Sequence, residues 1–298
     1  MTTKLVILYQ TALTGQMFSF TNNHITYTIS IPAYPINLVV DHFVIMKGQG
    51  LQTMERLFPN NKAEIFFNLG DAVQGRTHLN LPAPVVKDNM VSGLRSSFFD
   101  FYPPKNFHMA GLRFTLFGFN QLFNIPADQF TDNNYPANDV WGKEMCFLQE
   151  RLQYAKDQPE IFAILSHWII DHFKRCSLQE LQMWGRLEKK FCDANMSVSD
   201  LLHNYMGYSQ KHSIQLLKNR SGMRPKDIKK IIRLDQALKS ISQTSIRSWS
   251  GFAYELGYAD QSHFIREFKN FTGYTPLQYL DTKPHEFHFF ENLPGEQE

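Results

Sequence analysis

Two different periods of hydrophobic and polar residues divide the chain. From His24 to Ile31, Ile25, Tyr27, Ile29 and Ile31 alternate with Thr26, Thr28 and Ser30, which predicts a half-buried strand. Similar runs cover Glu64 to Leu69 and Ala110 to Leu116, where Ala110, Leu112, Phe114 and Leu116 share one face and Arg113 and Thr115 the other. From about Asp139 the spacing becomes helical. Ile161, Leu165, Trp168, Ile169 and Phe173 mark one helix, and Leu178, Leu181, Trp184, Leu187 and Phe191 a second. A β-rich half followed by a helical connector is the expected layout.

The polar stretch Cys192 to Asn195 is the expected boundary. Beyond it, Ser199 reads as the N-cap of a short apolar helix through Leu201, Leu202 and Tyr205 that Gly207 ends. An internal repeat then emerges. Leu201 to Pro225 and Phe252 to Pro276 each hold a short apolar helix, a Gly-Tyr turn (Gly207-Tyr208, Gly257-Tyr258), a second helix and a closing Gly-x-x-Pro. That is the layout of a helix-turn-helix, whose tight turn favours glycine because the backbone there takes a positive φ. In the second copy Phe264, Phe268 and Phe271 predict a face buried against Phe252, Ala253 and Leu256, while Gln261, Ser262, His263, Ile265, Arg266 and Lys269 lie opposite. Polar and cationic groups along one side of such a helix suit major-groove reading. Ile228, Ile231, Ile232, Leu238 and Ile241 form the stripe of a helix linking the copies.

Charge sharpens this reading. The 298 residues carry a net +2, but Met196 to Leu280 holds 12 Lys and Arg against 6 Asp and Glu, so a basic module sits on an acidic body. The opening LVILYQTAL is apolar for only a few residues and is not a basic lead-in followed by a long hydrophobic run, so neither a signal peptide nor a membrane span is read and a cytoplasmic protein is expected. Cys146, Cys176 and Cys192 are too dispersed for a disulfide framework or metal knuckle and are expected as buried, reduced thiols. No Gly-x-Ser-x-Gly or His-Glu-x-x-His occurs and the histidines are scattered, so no catalytic residue, metal or cofactor is expected. Arg113 reads as a structural arginine, and Phe98, Phe99, Phe101 and Tyr102 as core or as the wall of a pocket. The residues from Lys283 onward read as a loosely docked tail.

The repeat closely resembles the AraC/XylS family of bacterial transcription regulators. Gly257-Tyr258, Gln261-Ser262, Phe264, Arg266, Phe268-Lys269, Gly273 and Pro276 match the family's signature stretch without a gap. The resemblance implies an α+β N-terminal sensing domain with a helical connector (residues 1–195), an all-α double helix-turn-helix domain (196–282) and a tail (283–298). It places the candidate DNA contacts at Lys211, Ile214, Gln215 and Lys218 in the first unit and at Gln261, Ser262, His263, Ile265, Arg266 and Lys269 in the second. The first unit departs from the pattern: Ser213 stands where leucine is usual, Gln215 where arginine is frequent and Ser221 where an apolar residue is usual, so its reading helix is expected to be less firmly packed and less cationic.

Phe58-Pro59, Glu64 to Leu69, Gly111 to Phe114 and the loop from Ile125 to Trp141-Gly142 are similar to the N-terminal domain of some members. The implied partners are the major groove of double-stranded DNA, a small-molecule effector, a second copy of the chain and RNA polymerase, with no membrane. Two rival readings are an alkyl-transfer repair enzyme with a DNA-targeting domain, for which no Cys here has a neighbouring His, and a protein-binding adaptor.

Overall fold

The computed structural model describes residues 16–22, 25–49, 54–83, 85–174, 176–193, 196–243, 246 and 248–282. The opening LVILYQTAL, His24 and the tail from Lys283 lie outside the described residues. The N-terminal half contains strands β1 (Gln16–Asn22), β2 (Ile25–Ile31), β3 (Val40–Gln49), β4 (Glu55–Leu57), β5 (Glu64–Asn68), β6 (Gln74–Thr77), β7 (Asn89–Ser92), β8 (Phe99–Tyr102), β9 (Asn106–Phe114) and β10 (Asn134–Tyr135). They form an antiparallel seven-stranded sheet in the order β1-β2-β3-β9-β5-β7-β10, and a three-stranded sheet in the order β4-β8-β6.

Alternation along the strands separates two cores. Phe43 and Ile45 of β3 and Ala110, Leu112 and Phe114 of β9 face the helices. Val44, Met46, Phe107 and Met109 face the second sheet. The expected common face of Ala110, Leu112, Phe114 and Leu116 is therefore present, although β9 ends at Phe114. Strand β2 differs from the half-buried strand that its alternation predicts. Thr28 and Ser30 are buried as well, because a helix covers that face and Thr28 donates a hydrogen bond to Gln158 Oε1 at 3.3 Å.

The helices are α1 (Gly118–Phe123), α2 (Asn138–Trp141), α3 (Lys143–Gln153), α4 (Gln158–Phe173), α5 (Leu178–Cys192), α6 (Val198–Tyr205), α7 (Gln210–Ser221), α8 (Pro225–Gln243), α9 (Trp249–Glu255), α10 (Gln261–Thr272) and α11 (Pro276–Thr282). The connector helices α4 and α5 start at Asp157 and Ser177, whose side chains accept from the backbone N–H groups of Glu160 and Glu180. Trp168 and Ile169 on α4, and Trp184 and Phe191 on α5, are buried in the core that the large sheet shares with the helices.

The same core continues past the polar Cys192–Asn195 stretch into Leu201, Leu202, Leu217, Ile228, Ile231 and Ile232. Helix α8 then changes partners. Its later residues Leu234, Ala237, Leu238 and Ile241 belong to a separate core with Ala253, Tyr258, Phe264, Phe268 and Tyr279. The expectation of buried thiols is corrected: Cys146 and Cys192 are exposed and Cys176 is half-buried, because the first two occupy outward positions on amphipathic helices. Among the described residues no helix is long and apolar enough to cross a membrane.

Candidate nucleic-acid interface

The two repeat units use the same terminal chemistry at the same spacing. The short first helices α6 and α9 are capped by Ser197 and Ser248, and the second helices α7 and α10 by Ser209 and Asp260. The expected cap at Ser199 is thus displaced to Ser197, whose Oγ accepts from Asp200 N–H at 3.0 Å and donates to the Asp200 carboxylate at 2.6 Å. Gly207 and Gly257 turn the chain at φ +65 and +75°, with open space around them, so the requirement there is conformational.

Both second helices end alike. Gly222 and Gly273 are left-handed C-caps whose N–H groups bond to Lys218 O and Lys269 O. One residue earlier, the Ser221 and Thr272 hydroxyls donate to Leu217 O and Phe268 O at 2.7 and 2.8 Å and accept from Met223 N–H and Tyr274 N–H. Ser221 is therefore no packing defect. It closes its helix as Thr272 does.

These caps orient the outward faces. In α10, Phe264 and Phe268 are fully buried, with Phe264 against Trp249, Phe252 and Tyr258, and Phe271 is partly buried. Ser262, Arg266 and Lys269 are exposed and Gln261 is half-exposed at the helix start. His263 and Ile265 are less open than their companions. The ring of His263 lies edge-on to Tyr258 at 5.4 Å and 4.0 Å from Glu267, and Ile265 packs on the second core. Glu267, also buried, meets Arg233 of α8 at 3.4 Å; burial and the Glu267 charge push the Tyr258 phenol up.

In α7, Lys211 and Gln215 are exposed, Ile214 packs against the first core and Ser213 is wholly buried. Lys218, the counterpart of Lys269, is turned toward the N-terminal half and lies 3.5 Å from Asp128. The structure so brings Ser262, Arg266 and Lys269 onto one open face, and Lys211 and Gln215 onto another.

Both units are held to the β-rich half at the ends of their second helices. Thr131 Oγ1 donates to Gly222 O at 2.7 Å, and Arg220 stacks on Trp184 and approaches Glu180 at 3.4 Å. Arg56 on β4 donates to Thr272 O at 3.2 Å, and Phe58 packs on Tyr279. The contacts of Thr131 and Arg56 were not legible in the sequence, since their acceptors are backbone carbonyls. Tyr208 carried no sequence signal of its own: it is 60% exposed in the first turn, and its ring lies tilted against His212 at 4.8 Å, beside the outward face of α7.

Between the sheets lies an apolar cavity lined by Met46, Phe66, Met90, Phe99, Phe101 and Met109. Arg113, buried as a structural arginine should be, binds Glu64 at 2.7 Å at its edge. Arg95 also lines it, hydrogen-bonded to Asn134 and stacked on Phe99 at 4.6 Å; burial lowers its pKa against the pull of Glu64 and Asp132. The aromatic cluster is divided, with Phe99 and Phe101 at the cavity, Phe98 against Arg56, and Tyr102 exposed.

Residues 202–282 match the family model of a helix-turn-helix domain, and residues 28–136 match a domain of unknown function (DUF6597). Similar solved structures include an apo variant of ToxT from Vibrio cholerae strain SCE256, 13% identical, covering 80% of this chain and 97% of that chain at a TM-score of 0.42. ToxT from Vibrio cholerae O395 is 13% identical, with 80% and 96% covered and a TM-score of 0.40. Unsaturated fatty acid bound wild-type ToxT from strain SCE256 is 12% identical, with 88% and 97% covered and a TM-score of 0.39. No curated protein matches the chain.

Proposed function

We propose, from the helix-turn-helix domain matched at residues 202–282, that the protein is an effector-responsive, cytoplasmic bacterial transcription regulator of the AraC type that reads double-stranded DNA in the major groove. The observation that carries this reading is the duplicated unit: two helices with matching caps, each turning polar and cationic residues outward.

The second unit is the principal base reader. Arg266 donates in a bidentate manner to a guanine, Gln261 and Ser262 contact neighbouring bases, and Lys269 meets a phosphate. His263 and Ile265 flank that contact from the protein side. In the first unit Lys211 and Gln215 face the groove, Ile214 flanks that contact from the protein side, and Lys218 joins them once released from Asp128.

Residues 1–195 form the sensing and dimerising part, 196–282 the reader and 283–298 an appended tail; a homodimer engages RNA polymerase when bound to DNA. The cavity sets the effector's chemistry, a mostly apolar molecule with a polar head beside Arg95. The test is binding of the full chain to duplexes selected from random sequence, across a salt series. Each phosphate neutralised contributes about −0.9 to the log-log slope. Affinity independent of salt, or no duplex selected, overturns the proposal.

A further inference from the structure

The three-stranded sheet has two working faces. Strand β4 pairs with β8 so that Arg56 lies opposite Asp100 and Leu57 opposite Phe99, and β6 pairs with β8 so that Gly75 lies opposite Phe101. Directly paired residues share a face and successive residues alternate. Leu57, Phe99 and Phe101 accordingly line the cavity, while Arg56 and Asp100 project from the other side.

That other side holds the end of the second reading helix. The Arg56 guanidinium makes two hydrogen bonds to Asp100, at 2.6 and 2.8 Å, and a third to Thr272 O. It lies between the rings of Phe98 and Tyr274, 3.9 and 4.9 Å from their centroids. Burial opposes its charge, but the hydrogen bonds and charge of Asp100 raise its pKa overall. Its position at the carbonyl end of α10 also suits the helix dipole. The fit is tight: a Cβ at Gly273 would fall 2.5 Å from Arg56 Nη1 and 2.9 Å from the Phe98 ring.

We propose that this sheet transmits occupancy of the cavity to the second reading helix, with Arg56 and Asp100 as the clamp that the occupant loosens. Asp100 sits between Phe99 and Phe101 in one extended strand, so an outward shift of either ring displaces the carboxylate that positions Arg56. The sheet also has little slack behind Phe99, since a Cβ at Gly75 would fall 2.3 Å from its Cζ. The first unit is held elsewhere, through Thr131 and Gly222, and serves as an internal control. This mechanism rests on the effector-responsive reading, for which it names the route of regulation.

The test is hydrogen exchange on the full chain, which requires neither DNA nor effector. Gly75→Ala drives Phe99 from its place, and Arg56→Gln removes the clamp. Both are expected to lower amide protection in Gly273–Tyr279 by about tenfold, with protection at Gly222 and Met223 unchanged. The double variant should lose no more than the greater of the two. Wild-type protection in Gly75→Ala, or losses that multiply in the double variant, overturns the proposal. Should Gly75→Ala fail to fold, Val73→Phe adds a ring to the cavity from another lining position and is read by the same criteria. Absence of DNA binding by the wild-type chain would remove the proposed function and leave the exchange result standing.

Discussion

Ser213 is enclosed in α7 at the position that Phe264 fills in the second unit, and its hydroxyl has no hydrogen-bond partner among the described residues. A buried, unpaired hydroxyl costs about 1–3 kcal/mol. Ser213→Ala should raise the stability of the chain by about 1 kcal/mol in denaturant titrations; a lower midpoint would mean that the hydroxyl has a partner. Arg266 and Lys269 are both exposed on α10 but are expected to act differently. Arg266→Ala should cost about 1–3 kcal/mol on a selected duplex and little on random DNA, whereas Lys269→Ala should weaken both alike. Equal losses for Arg266→Ala would reassign it to the backbone. His108 offers a pH-dependent probe: burial, then the charge of Lys47, lower its pKa from 6.5 to about 4. The unfolded chain therefore takes up a proton before the folded one, and the stabilisation present above pH 6.5 is lost as pH falls toward 4. His108→Gln should reduce the pH slope of unfolding in that window by about one proton, and an unchanged slope would place the titration elsewhere. The inward position of Ser213 was implied by the family resemblance, in which leucine is usual there. The ion pair of Lys218 was not legible, because Asp128 is distant in sequence.

Helix ends carry much of what specifies the two repeat units. Ser209 and Asp260 cap α7 and α10, with the Asp260 carboxylate accepting from His263 N–H at 2.7 Å. Replacing either by alanine should cost about 1 kcal/mol, and Asp260 the more because its negative charge is also attracted to the positive end of the helix dipole. Thermal melts of the two variants check the order; a larger loss at Ser209 would show that packing outweighs charge there. The long elements were readable because each spans several periods. Strands β4, β6 and β8 were not, since three or four residues cannot display an alternation. Cap positions were readable only to within a turn, as Ser197 and Ser199 show: both have the right side chain, and the choice between them depends on where Leu201 and Leu202 must point to reach the core.

Across the whole molecule, the partition into a β-rich half and a helix-turn-helix half is clear in composition but not in packing. The first repeat unit shares one core with α4 and α5, whereas the second has its own, and α8 has one end in each. A chain ended at Asn195 would bare the surfaces that Leu201, Leu202, Leu217 and Ile228 cover. It should bind a hydrophobic dye and melt below the full chain; dye binding no greater than that of the intact protein would mean that the half closes its own core. Sequence could not reveal this sharing, because an apolar face on a helix does not name the surface that covers it.

The continuous core also bears on the order in which the protein is made. A ribosome releases the chain from its N-terminus, so the helices that face the large sheet emerge before the segments that seal them. The principal core stays open until Ile232 has left the exit tunnel, late in synthesis, and exposed apolar surface invites off-pathway association during that interval. The second repeat unit, with a core drawn mainly from Leu234 onward, can close last with little effect on what precedes it. Slow translation before Ile232 should thus be more damaging than slow translation after it.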